Sequence, residues 1–383
     1  MLQLITREFK RFFKDSTLVS VFFLAPIVYS LLIGNIYKKG KVEDLPVIVV
    51  DQDNTPLSNT LIEMIRDNEK LQVVEVKSNN TFTQEDLVKE KAVLAIVIPD
   101  RFEADILQKR YPEVNTYINT TNLLTANLAT TATQMSLGTF SAGVEMKANL
   151  KKDPSSGGQF EPFKANYIRL FNPGANYFTY MFPGMLMVVF QQVLLLGLAV
   201  SFSREFEQNT FKSELLNSTG SALKLMFVKV FPFWILSIVL AGIFYSFHVI
   251  FKAPLPYDLW PFAINTGCFV VAVSMLGVLL SVVLKDSLRA TQILMLIAAP
   301  AFVMGGYSWP LSAMPEGVQM IANAIPLTPF LEAHKSMLFQ RAPLADIMPQ
   351  LKALGLQAGI YGVLAWAVLS FHIYRAKRQS KAD

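Results

Sequence analysis

Residues 169–229 read RLFNPGANYFTYMFPGMLMVVFQQVLLLGLAVSFSREFEQNTFKSELLNSTGSALKLMFVK. Between Arg169 and Arg204 no side chain is ionisable except the tyrosines. At 1.5 Å per residue that interval is long enough to cross a hydrocarbon layer of about 30 Å. A mixed-charge run follows, Arg204, Glu205, Glu207, Lys212 and Glu214, then a polar turn from Asn217 to Ser221, and then a second apolar segment. A charged helix held between two spans reads as a handle for something outside the lipid.

The composition agrees. With 52% hydrophobic and 16% charged residues in 383, the chain is too apolar for an ordinary soluble enzyme, and the excess must face lipid. Its formal charge of +5 comes from basic residues near span ends, a topological signature rather than a nucleic-acid surface. The single cysteine, Cys268, excludes an intrachain disulfide and a cysteine-based zinc site. The three histidines, His248, His334 and His372, have no metal-ligand spacing.

Six apolar segments are long enough to span: Leu18 to Tyr37, Tyr177 to Phe202, Val230 to Phe251, Leu259 to Leu284, Thr291 to Tyr307 and Ala353 to Tyr374. Pro26 is expected to kink the first. That segment is longer than a signal-peptide core and lacks a small-x-small cleavage site, so it is read as a retained span. Ahead of it, residues 1–17 put Leu2, Ile5, Phe9, Phe12 and Phe13 on one helical face and Arg7, Lys10, Arg11 and Lys14 largely on the other, as in an interfacial helix. Short-loop lysines and arginines, at Arg7 to Lys14, Arg204 to Lys229, Lys285 to Arg289 and Arg375 to Lys381, fall on one side of a six-span chain. Both termini, including the basic tail 376–383, are therefore expected in the cytoplasm.

Residues 38–171 have the alternation of a water-soluble domain. Strands are expected at Pro46 to Val50, Leu71 to Val76, Val93 to Ile98 and Val114 to Ile118. Helices are expected at Pro56 to Asp67, capped by Thr55, at Gln84 to Lys89 and at Arg101 to Gln108. A long Ala/Thr-rich helix from Asn122 to about Leu150 ends in the loop Asp153 to Gly158. The fold class is thus a membrane all-α protein of six transmembrane helices with an inserted extracytoplasmic α/β domain. Between spans five and six, near residues 308–335, prolines bound the segment Val318 to Ile325, which is too short to cross. A helix in or on the outer leaflet is expected there.

The order Asn172-Pro173, then Tyr180 to Gly184 with Pro183-Gly184 opening a span, then Arg204-Glu205-Phe206-Glu207-Gln208-Asn209-Thr210 before a leucine pair resembles the type-2 ABC exporter permeases. LPVIVVDQDNTPLS, AIVIPDRFEADI and the Pro-Leu pairs around residues 310–328 extend the resemblance to essentially the whole chain. Asn209 stands where the family usually has Gly before the Thr, and Leu-Leu-Asn-Ser-Thr stands for Leu-x-x-Thr-Pro. The resemblance implies that residues 204–221 form a coupling helix and turn on an ATP-binding subunit, with Arg204, Glu205, Glu207, Thr210 and Glu214 in that contact. Acidic residues early and Lys212 late suit the dipole of such a helix. The resemblance also implies a substrate path at a dimer axis lined by the second and fifth spans, where Gln191, Gln192, Met295 and Phe302 are candidates. For the two glutamines, interhelical hydrogen bonding is the competing reading.

No Gly-x-x-x-x-Gly-Lys-Ser/Thr loop occurs, so ATP and Mg2+ are expected in a separate partner, the ATP-binding subunit, and no cofactor in this chain. The implied assembly pairs this chain with a second permease, identical or homologous, in the cytoplasmic (inner) membrane, with lipid around it and no nucleic acid. Whether a periplasmic adaptor docks on the outer domain is left open. The resemblance implies export; the substrate is expected to be lipophilic or amphipathic, because the path has few fixed charges, with a small ion as the alternative, and the chain itself is expected not to be an enzyme. Two rivals remain. One is a membrane sensor or scaffold whose outer domain binds a ligand or envelope partner. The other is a hydrolase using Asp51 and Asp53, whose Asp-x-Asp-x-Thr pattern occurs in phosphoaspartyl phosphatases but reads more simply as a strand-to-helix turn.

Overall fold

The computed structural model describes residues 1–38, 42–78, 83–108, 110, 112–150, 171–172 and 176–379. The loop Asp153 to Gly158, Pro173 and Lys381 lie outside them. The chain divides into two units, residues 41–167 and residues 1–40 with 168–383.

In the first unit the elements run β1 (Leu45–Asp51), α4 (Pro56–Arg66), β2 (Leu71–Lys77), α5 (Gln84–Lys89), β3 (Leu94–Ile98), α6 (Phe102–Leu107), β4 (Asn115–Ile118) and α7 (Leu123–Leu150). The sheet order is β2-β1-β3-β4; β1 pairs in parallel with β2 and β3, and β4 is antiparallel to β3. Central β1, LPVIVVD, is apolar on both faces because both are covered. Val47 and Val49 join Leu61, Ile65, Ile96 and Ala129 in one core, while Ile48 and Val50 pack with Leu87 and Ala95 in another. Pro56 opens α4, and Thr55 and Ser58 form its reciprocal cap.

The second unit begins with α1 (Leu2–Lys14), α2 (Ser16–Val19) and α3 (Ala25–Ile36), the last two joined by a π-helical turn at Ser20–Leu24. The irregularity expected from Pro26 is thus a wide turn placed just before it, where a missing N–H is tolerated. Then follow α8 (Tyr177–Glu207), a π-helical segment at Phe211–Leu216, α9 (Ala222–Ile250), α10 (Leu259–Val283), α11 (Ser287–Met304), α12 (Glu316–Ala324), α13 (Leu327–Phe339) and α14 (Met348–Gln379).

The central element is α8. Of its most apolar stretch 72% is buried in protein, against 22% for α14, which leaves Leu356, Val363 and Phe371 exposed on an apolar face. Phe190 on α8 packs edge-on to Phe244 and Phe269, and Phe269 stacks on Phe330 of α13 at 3.9 Å between centroids. Aromatic pairs of this kind carry large buried area with defined geometry.

Two sequence expectations change, and the six-span count is met only in part. The helix of the second span does not end at 202–203: α8 continues through Glu207, because nothing in SFSREFE breaks a helix. Among the described residues five helices are long and apolar enough to cross a membrane, and α11, with 18 residues, is not among them. The segment 308–335 is not one helix but two, α12 and α13, separated at Pro326. Only α13 is an interior element, with Leu327, Phe330, Leu331 and His334 buried.

Candidate functional site

The 31 residues of α8 rise about 46 Å, so a helix that enters the hydrocarbon near Tyr177 carries its last turn, Arg204 to Glu207, well past a layer of about 30 Å. That turn lies at the C-terminal end of a helix, where the dipole disfavours carboxylates. The favourable dipole expected for Glu205 and Glu207 is therefore reversed. What compensates Glu205 is tertiary: it is 0% exposed and surrounded by cations from two other helices.

Arg7 of α1 donates to both carboxylate oxygens of Glu205, Nη1 to Oε1 at 2.9 Å and Nη2 to Oε2 at 3.1 Å. Lys229 of α9, itself 2% exposed, donates Nζ to Oε1 at 2.7 Å. Arg11 also bonds Oε1, and the Thr210 hydroxyl bonds Oε2. The network continues outward. Lys229 reaches Glu8 at 2.8 Å, and Arg7 reaches Glu8 at 2.7 Å and, through Nε, Glu214 at 2.7 Å. Arg204 pairs with Asp15. The group around Glu205 thus balances Arg7, Arg11 and Lys229 against Glu8, Glu205 and Glu214. A buried carboxylate is tolerable only when paired and hydrogen-bonded like this, and removing one partner of such a pair costs about 3–5 kcal/mol.

The five residues expected in one contact therefore separate into two sets. Glu205 and Thr210 are interior to the network, and Arg204 is held by Asp15. Glu207 is exposed but accepts from the Ser287 hydroxyl at 2.5 Å, and Glu214 is 46% exposed while paired with Arg7. Phe211 and Leu215 are buried four residues apart and anchor the π-helical segment, which leaves Gln208, Asn209, Lys212 and Ser213 facing out. Asn209 has φ of 58°, the left-handed region in which Gly is unstrained and Asn is the best-tolerated alternative. Its side chain stands where a glycine is usual for that backbone reason.

The four path candidates do not gather on one surface. Gln191 is 1% exposed inside the packing of α8, whereas Met295 is 59% exposed on α11. Gln192 is half-buried, and Phe302 packs beside Tyr307 at 6.5 Å. At the other end of α8, Tyr180 donates its hydroxyl to the Tyr307 carbonyl and Tyr307 donates to the Tyr180 carbonyl, both at 2.5 Å, with the rings stacked 5.0 Å apart. Gly184 permits this, since a Cβ there would lie 2.4 Å from the Tyr307 ring.

In the α/β unit, Asp51 accepts from the N–H groups of Asp53 and Asn54 and from the Ser58 hydroxyl, and Asp53 accepts from Thr55 and from the Glu103 N–H. Both carboxylates are spent on shaping a turn rather than poised for attack on phosphorus. His248 and His372 bond backbone carbonyls of Phe244 and Val282. Among the described residues no group of three or more His, Cys, Asp or Glu is arranged to hold a metal ion.

Sequence reasoning missed Arg7, Glu8, Arg11 and Lys229 as partners of Glu205. The available signal was Lys229, an isolated charge inside the apolar run LMFVKVFPFW, since such a residue requires a partner.

The sequence model of the ABC-2 family transporter proteins matches residues 16–367 of this chain. An inner membrane transport permease, YhhJ, of Escherichia coli (strain K12) is 21% identical over 332 residues, covering 85% of each chain, and the YhhJ of Shigella flexneri matches to the same extent.

Proposed function

The chain belongs to the ABC-2 family of transporter proteins, and from that premise we propose that it is the membrane-spanning permease subunit of an ATP-driven exporter in the inner membrane. It works with a separate ATP-binding subunit, which supplies ATP and Mg2+ chemistry, and with a second permease. In this reading the spans are six, α11 being the fifth, with its 18 residues matching a local layer of about 27 Å. Both termini are cytoplasmic and the α/β unit is extracytoplasmic, as the distribution of short-loop lysines and arginines favours. The substrate is lipophilic or amphipathic and passes between the permeases.

The observation that carries the reading is the Glu205 network. Closure of the motor subunits presses on the outward residues Glu207, Gln208, Asn209, Lys212 and Ser213. Because Glu205 is locked to Arg7, Arg11 and Lys229, that push cannot be absorbed by one loop and moves α8, α9 and α1 together. Coupling of this kind requires an element with two discrete arrangements, and a closed ionic network re-pairs more readily than a packed apolar core deforms.

Co-purification from the native membrane tests it. Wild type is expected to bring down a phosphate-loop ATPase. A Lys212→Glu, Ser213→Glu variant, altered only on the outward face, is expected to lose it while keeping its melting temperature. Recovery of no ATPase with wild type, even after crosslinking, would sink the proposal and favour a sensor or scaffold.

A further inference from the structure

A cavity of about 230 Å³ opens in the loop region between α11 and α13, well away from Glu205 in sequence. Its walls include Gly305, Gly306, Tyr307, Leu311, Glu332 and Lys335. The walls are fixed. The Tyr307 hydroxyl is tied to Tyr180, and the Gly306 backbone has φ of 73°, with Leu311 so close that a Cβ would lie 2.8 Å from it. Preformed walls of this kind lower the ordering cost of binding.

The polar groups at the rim are unspent. Glu332 is exposed and Lys335 half-buried, and neither side chain makes an ion pair or hydrogen bond with another described residue; only the Glu332 carbonyl is used, by Ser336. They are three apart on α13, which brings their Cβ atoms to about 5–6 Å on one helix face. One cation and one anion at that separation, beside a small rigid hollow, match a zwitterion of opposite order. The volume is below the roughly 300–1,000 Å³ of drug-sized sites, so it suits a headgroup and not a whole lipophilic molecule. Trp309, the chain neighbour of the wall residue Pro310, is 56% exposed, and Met320 and Ile321 on α12 are 76% and 59% exposed. Exposed tryptophan and aliphatic residues of this sort are at home at a membrane–water interface.

We propose that this cavity binds a phosphoethanolamine group, the phosphate on Lys335 and the ammonium on Glu332, with acyl chains, where present, lying outside it over Met320 and Ile321. The group has two sources, a phosphatidylethanolamine headgroup or the free phosphomonoester, and the assignment goes beyond the transport reading and does not rest on it.

Full-length protein in detergent, exposed to equimolar phosphatidylethanolamine and phosphatidylglycerol and read by native mass spectrometry, provides the test. Wild type is expected to retain the ethanolamine lipid about tenfold over the glycerol lipid, the weight of one charged hydrogen bond. Lys335→Ala should weaken retention of both lipids, which share the phosphate, whereas Glu332→Gln should erase that preference. Glu332→Lys should turn it toward phosphatidylglycerol, a reversal that misfolding cannot produce, and Leu311→Trp should abolish retention by filling the hollow. Displacement of bound lipid by free phosphoethanolamine would assign the site to the headgroup alone, and its failure would assign it to intact lipid. Equal retention of both lipids by wild type, an unchanged preference in Glu332→Gln, or undiminished retention of both lipids in Lys335→Ala would overturn the proposal.

Discussion

Glu205 carries a fully buried charge that three cations from two other helices share. Its neutral isostere Glu205→Gln keeps the shape but leaves Lys229 and the arginines without their shared anion, so it should destabilise the chain by about 3–5 kcal/mol, seen as a fall in melting temperature. The exchange Glu205→Lys with Lys229→Glu should recover part of that loss, whereas either reversal alone should not fold; equal behaviour of the singles and the double would contradict a direct pair. A second residue-scale prediction concerns the α/β unit. Asp86 caps α5 through the Thr83 N–H at 2.9 Å and takes the Lys77 ammonium at 2.6 Å, and these hold its carboxyl at about 2, below the usual 3.8. A depressed carboxyl contributes stability that is present in full above the unfolded value and lost as pH falls through about 2. The stability gap between wild type and Asp86→Asn should therefore be constant near neutrality and close between pH 4 and 2 in acid titrations of the melt.

At the scale of elements, the turn after α8 is set by backbone conformation more than by charge. Asn209→Gly should leave stability nearly unchanged, since φ of 58° suits glycine, while Asn209→Val should cost about 1–2 kcal/mol and displace the outward face of 207–214. If Asn209→Val melted like wild type, the left-handed turn would not be what positions that face. At the other end of α8, Gly184→Ala drives a methyl into the Tyr307 ring and should break the reciprocal tyrosine pair. Element types are largely legible in the residue pattern. Short continuous apolar runs such as VIVV and LAIVI mark β1 and β3, and Thr55-Pro56 marks the start of α4 within a residue. Ends are less legible. The helical continuation of α8 into Arg-Glu-Phe-Glu contains no breaker, and a change from apolar to charged residues marks where lipid stops, not where a helix stops.

For the whole molecule, the proposed six-span arrangement would place Lys285 and Ser308, at opposite ends of α11, on opposite sides of the membrane. In a Cys268→Ala background, Lys285→Cys should react with an impermeant thiol reagent only from the cytoplasm and Ser308→Cys only from outside. Labelling of both from one side would leave the five long apolar helices as the only crossings. Composition and periodicity by themselves determined that this chain lives in lipid, that a β-α segment is inserted in it, and that a charged stretch beginning at Arg204 separates two long apolar segments, because solvent preference and hydrogen-bond geometry act locally and leave their mark in the sequence. Only the tertiary structure decided that Glu205 is interior, that Arg7, Arg11 and Lys229 are its partners, and that Gln191 and Met295 share no surface. Those facts join residues as far apart as 7 and 205, and a charge carries no mark in the sequence of which opposite charge, brought from another helix, will meet it.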